Sequence, residues 1–226
     1  PSAGGIFQKY VENEWLGKPK GLSQDDKLYE FENGYIYSDG SLAKIFYFIS
    51  PIDSSDFSYG PRQFDDKIEP FGYHTGIDLL PPLNAQSDDQ GIPIKSIGKG
   101  KVIYIEDKFP DNGDSSNSGF GNTVLLEHTL HDGRIIISQY SHLQQGSIED
   151  SIKDKYKTGE EINAGEILGT MGNSGYSTTT HLHFSLMEDG IQEKYNTTTP
   201  MGFGYHPTIS SEKLGYLNPY EYVYMP

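Results

Sequence analysis

Three observations predict an all-β protein, built mainly of antiparallel sheets, with a small N-terminal subdomain. First, 17 Tyr and 11 Phe supply large apolar bodies while 26 Gly and 13 Pro supply turn punctuation, a balance that favours short strands over long helices. Second, apolar and polar residues alternate over short runs, as in Gly100-Lys101-Val102-Ile103-Tyr104-Ile105 and His181-Leu182-His183-Phe184, the period of a half-buried strand. Third, Asn33-Gly34 and Asp132-Gly133 are hairpin turn signals between such runs.

Residues 1–49 read as the small N-terminal segment: a short helix, a Gly/Pro turn at Gly17-Lys18-Pro19, then a hairpin around Asn33-Gly34. They contain Trp15, the only tryptophan. Residues 50–226 read as the main domain. Ser50 to Gly72 is loop-like, broken by Pro51, Gly60-Pro61 and Pro70, and is expected to lie over the rim of a site. Asp107 to Gly121 is a polar loop of a length that usually marks a functional lid or disorder. Asn122 to His128 and Arg134 to Leu143 form an expected antiparallel pair, with His142 closing the second strand. Lys153 to Gly169 reads as further short strands and turns, and the chain from Asp189 onward as loop-rich and aromatic.

Charge and composition exclude several functions. A net charge of −15, from 17 basic and 32 acidic residues, argues against nucleic acid, because phosphate neutralisation needs clustered Lys and Arg. It also disfavours anionic membrane surfaces. No apolar run approaches the roughly 20 residues of a membrane span. With no cysteine, disulfides and thiolate metal sites are ruled out, leaving His, Asp and Glu as ligands. The chain opens at Pro1 rather than Met, which is expected of a processed or trimmed form from which any leader is already gone.

Chemistry concentrates at His74 with Asp78, at His142 on a strand end, and at His181 with His183. On a strand, side chains alternate with period two, so His181 and His183 converge while Leu182 and Phe184 face a core. His74 and Asp78, four apart around Gly76, are expected on a loop-to-strand stretch whose even separation keeps both on one face. A hydrolytic zinc site needs three N and O ligands and an open position for water. Nearby groups must then take up a proton and steady a tetrahedral oxyanion. These five residues suffice for three ligands and two assistants, but spacing alone does not choose which of His181 and His183 binds metal.

Tyr73-His74-Thr75-Gly76-Ile77-Asp78, Tyr140-Ser141-His142-Leu143 and Gly172-Asn173-Ser174-Gly175-Tyr176-Ser177 leading into His181-Leu182-His183-Phe184 resemble the signature blocks of the LytM and lysostaphin-type zinc endopeptidases. Gly91-Ile92-Pro93-Ile94, Gly121-Asn122-Thr123-Val124, Ala164-Gly165-Glu166-Ile167-Leu168-Gly169 and Asn218-Pro219 are similar to that family's framework. The resemblance covers residues 50 to 222. It implies a lysostaphin-like β domain with a zinc groove, one zinc per chain held by His74, Asp78 and His183, and His142 with His181 as the catalytic pair. It also implies hydrolysis of peptide bonds in peptidoglycan stem peptides or cross-bridges, and hence a secreted, periplasmic or cell-surface location.

Two departures stand out. Thr179-Thr180 replaces the family's usual Gly-Pro, and Ser185 stands where an acidic residue is common. Tyr140 is open to two readings, a hydrogen-bond donor at the rim or an ordinary strand aromatic. His128, His131 and His206 fall outside the blocks and read as solvated or structural. Residues 1–49 resemble a single LGFP-type repeat of wall-associated proteins through Leu16-Gly17-Lys18-Pro19 and Phe31-Glu32-Asn33-Gly34-Tyr35-Ile36-Tyr37. The alternative to an enzyme is a catalytically silent or occluded wall-binding or regulatory protein on the same fold. Filling of all five positions argues against it, and the oligomeric state is open.

Overall fold

A computed structural model describes residues 28–31, 34–37, 42–43, 48–53, 57–82, 91–113, 119–130, 133–191, 204–206, 209–223 and 225. The short helix expected before residue 28, His131, and the centre of the loop from Asp107 to Gly121 lie outside these residues. The strands in chain order are Leu28–Phe31 (β1), Gly34–Tyr37 (β2), Leu42–Ala43 (β3), Ser58–Tyr59 (β4), Lys67–Ile68 (β5), Gly72–His74 (β6), Ile77–Leu80 (β7) and Pro93–Lys95 (β8). Then follow Gly100–Glu106 (β9), Asn122–Thr129 (β10), Ile135–Leu143 (β11), Glu161–Ile162 (β12), Ile167–Thr170 (β13), Leu182–Glu188 (β14), Tyr205–His206 (β15) and Tyr216–Leu217 (β16). Helices Asp150–Thr158 (α1) and Pro219–Tyr222 (α2) and a 3-10 turn at Glu212–Leu214 complete the described elements.

The mainly antiparallel β expectation holds. The principal sheet runs β12-β9-β10-β11-β14-β7-β4, with β16 also on β14, and its neighbours all pair antiparallel. Two small sheets, β13-β8 and β15-β6-β5, flank it. In the N-terminal sheet Phe31 pairs with Gly34, which puts a hairpin where the Asn33-Gly34 signal predicts one. Phe48 lies on the main-domain side: its amide donates to the Tyr222 carbonyl at 3.1 Å, the Ile49 amide to Ile97 at 3.0 Å, and Phe48 and Ile52 join the core.

Both faces of the central strands are covered, which explains the near-continuous apolar runs Val124-Leu125-Leu126 and Ile135-Ile136-Ile137. One face packs Val124, Leu126, Ile136, Tyr140, Leu182, Phe184 and Leu186 into the large core. Leu182 and Phe184 are fully buried, and burial of side chains this size is worth about 1.5–3 kcal/mol each. The other face is divided along its length. At one end Leu125, Ile137, Met187, Ile191 and Tyr216 form a second apolar cluster. Further along the same strands the outward positions turn polar, with Gln139 opposite Ser185 and Ser141 opposite His183. That change of character along one sheet face places the candidate site.

Two expectations need correction. Residues 150–158, expected to include the start of a strand-and-turn region, form a helix. Only Ile152 in it is buried, so the 3.6-residue apolar period is almost absent from the sequence. What holds it is charge and termination: Asp150 in the first turn, Lys155 and Lys157 in the last, each favourable with the helix dipole, and Gly159 closing it in the left-handed conformation at φ 74°. The stretch from Ser50 to Gly72 is not only loop, since β4 is the edge of the principal sheet and β5 pairs with β6.

A candidate metal centre

Asp78 and His183 occupy directly opposed positions on β7 and β14. Both side chains stand on the polar stretch of the sheet face, and Asp78 Oδ1 lies 3.1 Å from His183 Nδ1. His74 reaches the same point from a different sheet. β6 ends at His74 and β7 begins at Ile77, so the two residues meet across a bend and not by strand alternation, which corrects the expected geometry. His74 Nε2 is 3.3 Å from Asp78 Oδ1 and 3.1 Å from His183 Nδ1. Gly76 permits the bend: a Cβ there would stand 2.3 Å from the Phe184 carbonyl oxygen and 2.5 Å from Ser185 Oγ. The backbone of β7 approaches β14 too closely for any side chain.

His181 precedes β14 by one residue and shares the face of His183, as the alternation predicts. Its Nε2 is 3.6 Å from Asp78 Oδ1. His142 arrives by a bulge. Val124 pairs with Tyr140 but Asn122 pairs with Leu143, so β11 carries one residue more than β10 over this interval, and His142 has φ 62°. A bulge re-aims side chains. Tyr140 and Leu143 therefore both face the core while His142 turns to the site, its ring centroid 4.7 Å from that of His181. Histidine is among the residue types that tolerate this left-handed backbone.

Each imidazole is oriented through its second nitrogen. His74 Nδ1 donates to the Gln63 carbonyl at 3.1 Å, His142 Nδ1 to the Ser174 carbonyl at 2.7 Å, and His181 Nδ1 to the Thr179 carbonyl at 2.8 Å. A carbonyl can only accept, so these contacts place the proton on Nδ1 of each neutral ring and leave Nε2 bare. His183 Nε2 is 2.9 Å from Ser185 Oγ, which can accept its proton and leave Nδ1 bare. His74 Nε2, His183 Nδ1 and Asp78 Oδ1 thus bring lone pairs together, with ligand atoms within 4.8 Å of one another. Three buried acceptors facing each other without a donor call for a cation between them, and two imidazoles with a carboxylate suit a divalent metal of the zinc type.

Electrostatics agree. Burial alone would raise Asp78, but its close contacts with the imidazoles of His183 and His74 and the neighbouring His181 hold its carboxyl well below the usual range. Burial pushes His183 down to about 4, against the pull of Asp78. Burial, reinforced by His181 and His183, holds His142 well below an ordinary histidine. These rings are neutral at pH 7, the state in which an imidazole can ligate a metal or accept a proton.

The structure thus brings together all five predicted residues: His74, Asp78, His142, His181 and His183. Other histidines stand elsewhere. His128 is structural, bonding the Lys99 carbonyl at 2.9 Å and Ser138 Oγ at 2.7 Å, and His206 Nδ1 accepts from the Ile209 amide. Tyr140 is the ordinary strand aromatic: it is fully buried, and its hydroxyl accepts from the Ile97 amide at 3.0 Å. Sequence reasoning did not find the supporting groups. Ser185 was legible in principle, two residues beyond His183 on the same face. Gln63 and Ser174 act through main-chain carbonyls, which carry no residue-type signal.

The fold and site together define a β-sheet protein with a buried His-Asp-His centre and two further imidazoles beside it. Residues 72–196, more than half of the chain, match the sequence profile of peptidase family M23, and the chain belongs to that family. It is 29% identical over 167 residues to peptidoglycan DD-endopeptidase ShyC of Vibrio cholerae, covering 72% of this chain and 32% of that protein. It is 30% identical over 151 residues to glycyl-glycine endopeptidase ALE-1 of Staphylococcus capitis (64% and 34%), and 31% over 132 residues to lysostaphin of Staphylococcus simulans (58% and 21%). The chain therefore spans about a third or less of the length of these relatives. Among solved structures, the catalytic domain of Staphylococcus simulans lysostaphin superposes with a TM-score of 0.43 at 23% identity, covering 73% of this chain and 90% of that domain.

Proposed function

We propose that this chain is a zinc endopeptidase that cleaves peptide bonds in peptidoglycan stem peptides or cross-bridges, with His74, Asp78 and His183 as metal ligands and His142 and His181 as catalytic residues. One observation carries the reading: three rings are anchored to main-chain carbonyls through Nδ1 and the fourth to a hydroxyl through Nε2, leaving each a bare nitrogen for the site. Family membership and the peptidoglycan substrates named for ShyC and its kind support it.

Bound zinc supplies Lewis-acid polarisation of the scissile carbonyl and acidifies water toward neutral pH. The protein's own residues do the rest. His142 and His181, each bonded to a carbonyl through Nδ1, turn Nε2 toward the centre, so one can take the proton of the attacking water. Once protonated, that ring can donate to the oxyanion or to the leaving amine. The Ser174 and Thr179 carbonyls keep each ring in the tautomer this requires. Asp78, ionised throughout, favours positive charge on His181 as the proton arrives. Such a substrate lies outside the cytoplasmic membrane, so we place the protein as secreted, periplasmic or at the cell surface, with residues 1–49 as a wall-associated LGFP-like module.

Zinc stoichiometry measured beside mass spectrometry of fragments from purified sacculi tests this. Metal-dependent release of peptide fragments, lost with chelator and restored by zinc, is expected. Zinc-loaded protein that binds sacculi and releases nothing would select the silent, wall-binding alternative.

A further inference from the structure

Arg62 and Tyr205 flank the centre without being used by it. The Asp78 amide donates to the Arg62 carbonyl at 3.2 Å, which fixes this residue beside β7. The Arg62 guanidinium lies 5.8 Å from the centroid of the Tyr205 ring, and that ring lies 4.9 Å from the ring of His74. The half-buried Arg62 forms no ion pair among the described residues, although acids follow it closely in sequence. Asp65 and Asp66 are engaged elsewhere, Asp65 Oδ1 accepting from the Ser211 amide and Asp66 Oδ2 from the Gln63 amide. Asp78 is occupied by imidazoles. The buried Tyr205 hydroxyl stands against the Arg62 guanidinium, whose charge acts on it, and finds no acceptor for its own proton among the described residues.

A desolvated donor without an acceptor is unfavourable, and in a chain of net charge −15 a guanidinium with no carboxylate, beside a hydroxyl whose proton has no acceptor, is a set of donors lacking an anionic partner. Arginine's planar fork matches carboxylate geometry. On the proposed peptidase reading, the missing acceptor comes with the substrate. The geometry points to Arg62 and the Tyr205 hydroxyl as a subsite for a carboxylate that flanks the scissile bond, selecting peptides with a free carboxylate over neutral bridges such as oligoglycine. The carboxylate is either the C-terminus of a stem peptide or the side-chain carboxylate of a cross-linking diamino acid.

The test uses zinc-loaded protein and synthetic stem-peptide dimers in four forms: both carboxylates free, the C-terminus amidated, the side-chain carboxylate amidated, and both amidated. Cleavage is followed as kcat/KM and binding of uncleaved analogues by calorimetry, for the wild type, Arg62→Gln and Tyr205→Phe, each checked for zinc content. The expected result is a preference of about ten- to a hundredfold for one free carboxylate, carried in KM and in calorimetric affinity. Arg62→Gln should shrink the preference at least tenfold, Tyr205→Phe should shrink it less, and zinc content should not change. The singly amidated forms identify which carboxylate is read. Equal wild-type rates and affinities across the four forms would overturn the subsite while leaving the peptidase reading intact. So would an Arg62→Gln loss confined to kcat and equal for all forms, which would mark a transition-state role. If no form is cleaved, the peptidase reading fails on its own, and calorimetry still decides the subsite.

Discussion

Asp78 and His183 face each other in register across β7 and β14, with 3.1 Å between Asp78 Oδ1 and His183 Nδ1. Because β14 also carries Leu182 and Phe184 into the core on its other face, the position of this pair is set by the packing of the whole sheet. A metal held here is held by the fold, and not by a flexible loop.

Replacing His183 by Ala should abolish stoichiometric zinc binding, since it removes one of the three proposed ligands. Ser185→Ala should act more mildly, lowering metal affinity by about 10–100-fold, because Ser185 Oγ only orients the His183 ring. Competition of each variant against a chromogenic chelator measures both. Equal zinc affinity in wild type and His183→Ala would refute the ligand role.

His142→Ala and His181→Ala should each keep one zinc per chain while losing roughly 10²–10⁴ in kcat, the usual range for a group that transfers a proton. The two substitutions should be far from additive, as the rings lie 4.7 Å apart and are proposed to serve one reacting group. Single-turnover cleavage with metal analysis of the same samples separates this outcome from simple loss of the site.

Gly76→Ala should damage stability and site together. Its Cβ would meet the Phe184 carbonyl oxygen at 2.3 Å, and backbone cannot swing aside as a side-chain tip can. Forcing β7 from β14 should cost at least about 1–3 kcal/mol and weaken zinc binding, because it parts Asp78 from His183. Urea midpoints with and without zinc check this: a variant with wild-type stability and affinity would show that the strands tolerate separation.

His128 should make the fold sensitive to mild acid. Burial holds it at about 4 against an ordinary 6.5, so below pH 6.5 the unfolded chain takes up a proton that the folded chain refuses. Its contribution is complete above pH 6.5 and is lost progressively between pH 6.5 and 4, amounting to about 3 kcal/mol over that interval. Denaturation at pH 7 and at pH 5 should therefore show a steeper loss in the wild type than in His128→Gln. Parallel pH slopes would remove His128 as the cause.

Much of this was legible without the structure because it depends on short-range periodicity. The two-residue period of a strand puts His181 and His183 together and sends Leu182 and Phe184 the other way, and the same alternation could have pointed to Ser185. Helix α1 was not legible, since a helix with one buried residue leaves no apolar period and is held by terminal charges and Gly159.

The amino-acid sequence by itself determined the β class and the exclusion of thiolate chemistry through composition and periodicity, and the five candidate residues of the site through motif blocks that resemble a known family. Only the tertiary structure decided how they meet. His74 and Asp78 converge across a bend between two sheets, which depends on a backbone approach at Gly76 that spacing does not express. His142 reaches the site through a bulge whose extra residue is visible only in the pairing of β10 with β11. The free nitrogen of three of the four rings is chosen by the carbonyls of Gln63, Ser174 and Thr179. Every residue has a carbonyl, so only the folded chain reveals which ones point at an imidazole.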